Sequence, residues 1–230
     1  MNFENIITKD FYGWKRGEYI FILSIFTFVV INALLVGDNV IAVISAYCGI
    51  LYTFMAGKGR VSCFVFGLMG SALYGYLSLI NHLWGNLALY MCYYIPMQIL
   101  GLFTWKKNLN KQSNEIIKSK LSSKEMLITF GTTALITLIV IYILYRLGDK
   151  SPAIDGITTV FSILGMYLTV RRIIEQWTVW LIVNGLSTIM WLIIALQGVK
   201  VWATVIMWFT YFLLAIYFYR EWRKELKNNI

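Results

Sequence analysis

Two tryptophans and an asparagine, Trp177, Trp180 and Asn184, follow one another at spacings of three and four residues. At about 100° per residue, an α-helix places all three in a stripe about 60° wide. Indole faces attract a flat cation and stack on a ring, whereas a carboxamide hydrogen-bonds hydroxyl and amide groups. The spacing therefore predicts a helix face that binds a cationic aromatic molecule.

A second stripe of similar chemistry lies earlier in the chain. Helix geometry places it within about 80°, with one more residue at its outer end: Tyr90, Tyr94, Gln98, Gly101, Trp105 and Asn86. Pro96 removes a helical hydrogen bond two residues before Gln98, which predicts a kink that turns this amide inward. The predicted substrate-binding residues are Trp177, Trp180, Asn184, Gln98, Tyr94, Tyr90 and Asn86.

Several of these residues have a simpler interpretation. Tryptophan and tyrosine are enriched at membrane interfaces as anchors. This is the alternative for Trp177, and it is the favoured interpretation of Trp14, Trp84, Trp202 and Trp222. For Gln98 the alternative is an ordinary hydrogen bond to a neighbouring helix.

The sequence lacks motifs for catalysis, metal binding and cofactor binding. It has no HExxH, Gly-x-Ser-x-Gly or GxxxxGK motif and no paired carboxylates. His82 is the single histidine, and Cys48, Cys63 and Cys92 lie inside apolar runs, where packing is their expected role. No Asp, Glu or His stands at mid-span, where a proton-coupled pump needs a relay. These observations predict a protein that is not an enzyme and holds no metal or cofactor.

The composition places these residues in a membrane. Of 230 residues, 59% are hydrophobic and 13% are charged, and the mean hydropathy is +0.69, whereas soluble domains carry about 25% charged residues. Apolar stretches near the length that crosses a bilayer predict an all-α protein with eight transmembrane helices. The predicted spans are 19–36, 39–56, 61–80, 84–105, 126–147, 153–170, 176–196 and 199–219.

The distribution of basic residues predicts the orientation. With the N-terminus inside, 17 of the 20 Lys and Arg residues fall on the inner side, and only Arg146, Lys150 and Lys200 fall outside. Both termini are therefore expected in the cytoplasm. The net charge of +9 then reflects topology, and no nucleic-acid partner is expected.

The polar stretch after Trp105 separates two similar halves. Offsets of 116 to 118 residues pair Gly49 with Gly165, Gly67 with Gly185, Trp84 with Trp202 and Trp105 with Trp222. Topology then predicts two parallel three-helix repeats joined by one helix, a 3+1+3 core, with a substrate path between the repeats. The alternative is an undifferentiated eight-helix bundle. The predicted segments are an N-terminal segment with the first helix (1–38), the first repeat (39–105), a basic cytoplasmic loop (106–125), the linker helix (126–147), the second repeat (153–222) and a cytoplasmic tail (223–230).

The run Trp177-x-x-Trp180-x-x-x-Asn184 resembles the signature of the PnuC family of bacterial nicotinamide riboside transporters, as does Pro96-Met97-Gln98-x-x-Gly101-x-x-x-Trp105 in the fourth span. The resemblance implies a SWEET-like fold in the bacterial inner membrane, a homotrimer, and facilitated diffusion with trapping by a cytoplasmic kinase. It also implies substrate contacts at Trp177, Trp180, Asn184 and Gln98. Tyr90, Tyr94 and Asn86 rest on helix geometry alone.

The leading hypothesis is therefore the uptake of nicotinamide riboside, a cationic ring on an uncharged sugar. Because no basic residue stands at mid-span, we expect phosphorylated forms such as the mononucleotide to be excluded. Sister transporters for thiamine, riboflavin or deoxynucleosides share the fold and form the alternative. A membrane-embedded enzyme and a receptor that does not transport are remote alternatives.

Overall fold

The computed structural model describes residues 10, 14–36, 40–80, 82, 84–110, 115–149, 151–198 and 202–228, without the side chains of 36, 42, 84–86, 203 and 228. Helices dominate these residues, because a backbone in lipid must satisfy its hydrogen bonds within its own segment. They are α1 Arg16–Val36, α2 Val40–Gly57, α3 Cys63–Ile80, α4 Trp84–Leu89, a π-helix Tyr90–Tyr94, α5 Ile95–Lys107, α6 Ser123–Arg146, α7 Pro152–Val170, α8 Gln176–Leu196 and α9 Trp202–Asn228. The predicted all-helical class is confirmed.

Six helices among the described residues are long and apolar enough to cross a membrane, judged by length and composition. They are Arg16–Leu35, Cys63–Ile80, Leu87–Lys107, Ser123–Arg146, Pro152–Val170 and Gln176–Leu196, and Val43–Gly57 is a shorter apolar helix. Each of the six overlaps a predicted span. The other two predicted spans, 39–56 and 199–219, fall on α2 and α9. The total of eight spans stays a prediction.

The chain forms two compact units, residues 1–117 and 118–230. In the first unit α2 packs on α1 and α3, and α3 packs on α5. In the second unit α6 packs on α7, α7 on α8, and α8 on α9. The division falls within segment 106–125, which the sequence analysis assigned to a loop.

The same turn occurs in both units, between α2 and α3 and between α7 and α8. Its second residue has a left-handed backbone, with φ of 67° at Gly59 and 60° at Arg172. The N–H of Gly59 donates to the carbonyl of Ala56 at 3.0 Å, and that of Arg172 donates to Thr169 at 2.9 Å. Glycine adopts this conformation freely and arginine does so at a cost.

This turn sets a register that the sequence analysis missed. Gly59 and Arg172 are 113 residues apart, whereas the predicted offsets were 116 to 118. Across the turn, therefore, Gly67 is equivalent to Trp180 and not to Gly185. Gly165 is likewise equivalent to Tyr52. The glycine pairs suggested by sequence were wrong, because single glycines carry too little pattern to determine a register.

An aromatic pair near the turn also occurs in both units. Phe64 and Trp177 are each the second residue of the helix that follows the turn. Phe64 meets Trp105 edge-to-face at a centroid distance of 4.9 Å, and Trp177 meets Trp222 edge-to-face at 5.6 Å. All four rings are buried, so Trp105 and Trp222 are packing residues in their own units. The prediction that Trp222 is an interface anchor is therefore wrong.

Candidate functional site

Trp177 is buried inside the second unit, with 2% of its surface exposed. Its ring contacts Phe218 of α9 at 5.5 Å as well as Trp222. Its indole Nε1 has no hydrogen-bond partner among the described residues. A membrane-interface anchor keeps its polar edge wet, so this burial argues against the anchor interpretation and leaves a donor for a ligand.

Trp180 is half-buried and packs on the other neighbouring helix, α7. Its Nε1 donates to Thr169 Oγ1 at 3.2 Å, and Thr169 Oγ1 lies 2.8 Å from the carbonyl of Gly165, to which it donates. A methyl group at Gly165 would lie 2.9 to 3.2 Å from three atoms of the indole. The ring therefore rests on the bare backbone of α7, in an orientation that the Thr169 hydroxyl determines.

Asn184 is buried one helical turn after Trp180, with 4% of its surface exposed. It shares the predicted stripe on α8, but the two tryptophans of that stripe pack on different helices, Trp177 on α9 and Trp180 on α7. Sequence reasoning missed Gly165 and Thr169. They lie on another helix, and no spacing within α8 signals them.

In the first unit Gln98 of α5 is buried, with 3% of its surface exposed. Its Oε1 has no hydrogen-bond partner among the residues that the structure describes. Its carboxamide lies against Gly67 of α3, where a methyl group would stand 2.4 to 2.5 Å from all three terminal heavy atoms. A simple interhelical hydrogen bond would satisfy Oε1, so this geometry favours a ligand-binding role.

A π-helix precedes Pro96, the residue at which the sequence predicted a kink. Residues Tyr90–Tyr94 are π-helical, and the N–H of Ile95 donates to the carbonyl of Tyr90 five residues back. Pro96 follows at the start of α5, where it has no N–H to donate. Single π-turns inside α-helices occur often at functional sites, because they re-aim side chains.

The π-helix brings three tyrosines together. Tyr90 lies 5.0 Å from Tyr94 and 4.6 Å from Tyr74 of α3, measured between ring centroids. Tyr90 and Tyr94 are half-buried. Tyr74 was missed because its helix is a separate element of the sequence. The side chain of Asn86 lies outside the described residues.

Basic and acidic side chains lie toward the ends of the described helices or in turns and loops. The basic residues farthest from an end are in the C-terminal third of α9, and Asp155 is the fourth residue of α7. His82 is exposed in a turn. The described residues contain no group of three or more His, Cys, Asp or Glu able to hold a metal ion.

Comparison with known proteins identifies the family. The chain is 30% identical to the nicotinamide riboside transporter PnuC of Haemophilus influenzae over 94% of each chain. It is 29% identical to that of Neisseria mucosa over 95% of this chain and 85% of the relative. A family model described as nicotinamide mononucleotide transporter matches residues 39–224. This chain belongs to the PnuC family.

A solved PnuC structure has the same fold. The crystal structure of the vitamin B3 transporter PnuC matches with a TM-score of 0.82 at 28% identity, over 97% of this chain and 98% of the other. Membership in the PnuC family makes this chain a multi-pass membrane transporter. It also confirms the prediction that the chain is not an enzyme.

Proposed function

We propose that this PnuC-family chain takes up nicotinamide riboside. Two buried polar atoms carry the proposal, Trp177 Nε1 and Gln98 Oε1, which have no hydrogen-bond partner among the described residues. An unpaired buried polar atom costs about 1–3 kcal/mol unless a ligand supplies its partner. The carboxamide and the ribose hydroxyls of nicotinamide riboside offer both donors and acceptors.

The remaining predicted residues suit the same ligand. The indoles of Trp177 and Trp180 attract the positively charged pyridinium ring. Asn184 and Gln98 hydrogen-bond the carboxamide and the hydroxyls. Tyr90 and Tyr94 add aromatic surface, and Asn86 completes the proposed set.

Charge favours the riboside over the mononucleotide, although the matching family model bears the mononucleotide in its description. A phosphate group inside a membrane protein needs a basic partner. The described Lys and Arg residues lie toward helix ends or in turns and loops, whereas the proposed binding residues are aromatic or amide groups. The proposed substrate is therefore the unphosphorylated nucleoside.

The proposed architecture has eight transmembrane helices, of which seven form a SWEET-like 3+1+3 core and the eighth is the extra N-terminal helix. The recurring turn and aromatic pair support two repeats. The excess of basic residues on one side supports cytoplasmic termini. Alternating access by small movements of the repeats, without ion coupling, is the mechanism that suits these features.

Two further proposals concern partners. A cytoplasmic kinase would trap the substrate by phosphorylating it. The proposed binding residues of the transporter include no basic group to bind the phosphate, so the product could not return through it. A homotrimer is proposed from the family resemblance. Native mass spectrometry of the detergent-purified protein tests the trimer, and a mass of one or two chains would contradict it.

Ligand binding to the purified protein tests the proposed function. We expect nicotinamide riboside to bind and its mononucleotide, thiamine, riboflavin and thymidine to bind at least about tenfold more weakly, the loss expected for one missing hydrogen bond or charge interaction. Asn184→Ala should weaken binding without lowering the melting temperature. Preferred binding of thiamine or the mononucleotide would contradict the proposal and identify the other substrate.

A further inference from the structure

Gly67 provides the space that the Gln98 carboxamide occupies. A methyl group at Gly67 would lie 2.4 Å from Gln98 Oε1 and 2.5 Å from both Cδ and Nε2. Oε1 is the atom that the proposed function assigns to the ligand. Gly67 has an ordinary helical backbone within α3, so the contact with Gln98, and not the conformation of the chain, is what calls for glycine.

Gly165 does the same for Trp180 in the second unit. A methyl group there would lie 2.9 Å from Cε2, 3.0 Å from Cζ2 and 3.2 Å from Cδ2 of the indole. Gly165 also has an ordinary helical backbone, within α7. Each unit thus places a glycine under a proposed substrate-binding side chain of another helix.

The two glycines break the similarity of the repeats. Gly67 and Trp180 each stand eight residues after the left-handed residue of their turn, so they are equivalent positions. Tyr52 and Gly165 are equivalent in the same register. The ring of Trp180 therefore corresponds to Gly67, and the ring of Tyr52 corresponds to Gly165. As a result the first unit presents the carboxamide of Gln98, whereas the second presents the indole of Trp180.

We propose that Gly67 and Gly165 are positioning residues that place Gln98 and Trp180 for substrate binding. The inference rests on the proposed function, since it assumes that those two side chains contact nicotinamide riboside. The unpartnered Gln98 Oε1 supports it independently, because this atom lies buried where a packing contact alone would call for an apolar residue. Neither glycine contacts the substrate.

Gly67→Ala provides the central test. The added methyl meets the flexible end of Gln98, so the carboxamide moves and the helices keep their packing. Alanine also favours a helix over glycine. We expect an unchanged or raised melting temperature together with an affinity for nicotinamide riboside about 10- to 100-fold weaker, as for the loss of a buried hydrogen bond.

A double-mutant cycle separates positioning from general disruption. If Gly67 acts only through Gln98, then Gly67→Ala in the Gln98→Ala background costs no further affinity. Likewise, Gly165→Ala in the Trp180→Ala background should cost no further affinity. In the wild-type background Gly165→Ala should weaken binding less than Gly67→Ala does, because its methyl approaches the indole less closely. Additive losses in either cycle would overturn the inference for that pair.

Two controls distinguish the possible failures. Gly131→Ala places its methyl more than 4 Å from any described atom outside its chain neighbours and the backbone of its own helix, and the variant should bind as the wild type does. Gly101→Ala drives a methyl to 2.2 to 2.8 Å from the buried Phe64 ring and should lower the melting temperature. If Gln98→Ala weakens binding but Gly67→Ala does not, the inference is wrong and the proposed function stands. If the wild type does not bind nicotinamide riboside, the proposed function fails, and the inference with it.

Discussion

The Trp180 indole is held by a hydroxyl group on a neighbouring helix. Thr169→Val keeps the shape of that side chain and removes the acceptor of the 3.2 Å hydrogen bond. A net loss of about 1 kcal/mol predicts binding of nicotinamide riboside about fivefold weaker, measured by calorimetry on the purified protein. Thr133→Val is the matched control, since among the described residues its hydroxyl bonds only the Thr129 carbonyl of its own helix. Equal affinity in both variants would remove Thr169 from the site.

Gln98 offers a test in which stability and binding move in opposite directions. Gln98→Met keeps the length of the side chain and replaces the unpaired Oε1 with apolar atoms. Removing an unsatisfied buried polar group is neutral or stabilising, so we expect the melting temperature of the ligand-free protein to stay the same or rise. The affinity for nicotinamide riboside should fall about tenfold or more.

Gln176→Met is the control for this experiment. Gln176 is buried on α8, and its Nε2 has no hydrogen-bond partner among the described residues. It is outside the proposed binding set. Gln176→Met should therefore leave the affinity of the protein for nicotinamide riboside unchanged and its melting temperature equal or higher. A lower melting temperature for Gln98→Met would indicate a structural hydrogen bond and contradict the proposed ligand contact.

The binding role of the predicted side chains stays a prediction, and the structure adds the residues that support them. Periodicity was enough to place Trp177, Trp180 and Asn184 on one side of a helix. It could not show that Trp177 packs on α9 and Trp180 on α7. Gly67, Gly165 and Thr169 were invisible as site residues, because each acts through a contact between helices.

Among the elements, the segment that precedes α6, residues 118–122, supports α8. Ser119 donates to the Arg172 carbonyl and accepts from Ile174, while the N–H of Leu121 donates to Glu175. Leu121 packs with Leu164, Leu168, Ile173 and Val179 in one apolar cluster. The segment thereby holds the turn that leads into α8, whose second residue is Trp177.

Lys118 of this segment pairs with Glu225 of α9, and its Nζ lies 5.2 Å above the Trp222 ring. The lysine side chain is 4% exposed and the glutamate 45%. Glu225→Gln removes the carboxylate facing a buried ammonium, whereas Lys118→Met leaves a carboxylate that water can solvate. We therefore expect Glu225→Gln to destabilise the protein by about 1–2 kcal/mol and Lys118→Met to cost less.

Thermal unfolding of the two variants in detergent measures this difference. Lys224→Met is a suitable control, because its ion pair with Glu221 is solvent-exposed on the lysine side and such pairs contribute little. A larger loss of stability in Lys118→Met than in Glu225→Gln would contradict the asymmetry. It would indicate that the contact with the Trp222 ring outweighs the ion pair.

Most of the helices were predictable to within a few residues, although α9 extends nine residues past its predicted span and into the segment 223–230 predicted as a tail. Their internal geometry was not predictable. Apolar runs near membrane length placed α3, α6, α7 and α8, because lipid leaves a backbone little alternative to a helix. Pro96 marked a break in the fourth span but not its form, which is a π-helix. The register of 113 between the units depends on a hydrogen-bonded turn, and Arg172 at its left-handed position has no sequence signature.

For the whole molecule, the sign of the substrate charge yields the decisive transport experiment. Nicotinamide riboside carries one positive charge, so a carrier that moves it alone also moves charge. A membrane potential then shifts the equilibrium about tenfold for every 59 mV.

In proteoliposomes clamped by a potassium gradient and valinomycin, an inside-negative potential should accumulate labelled riboside by this factor. A protonophore should not abolish entry under the clamp, because the described acidic residues lie toward helix ends, in turns or in loops. Labelled mononucleotide should stay outside. Accumulation that follows an imposed pH gradient, and not the potential, would replace the uniport by proton coupling.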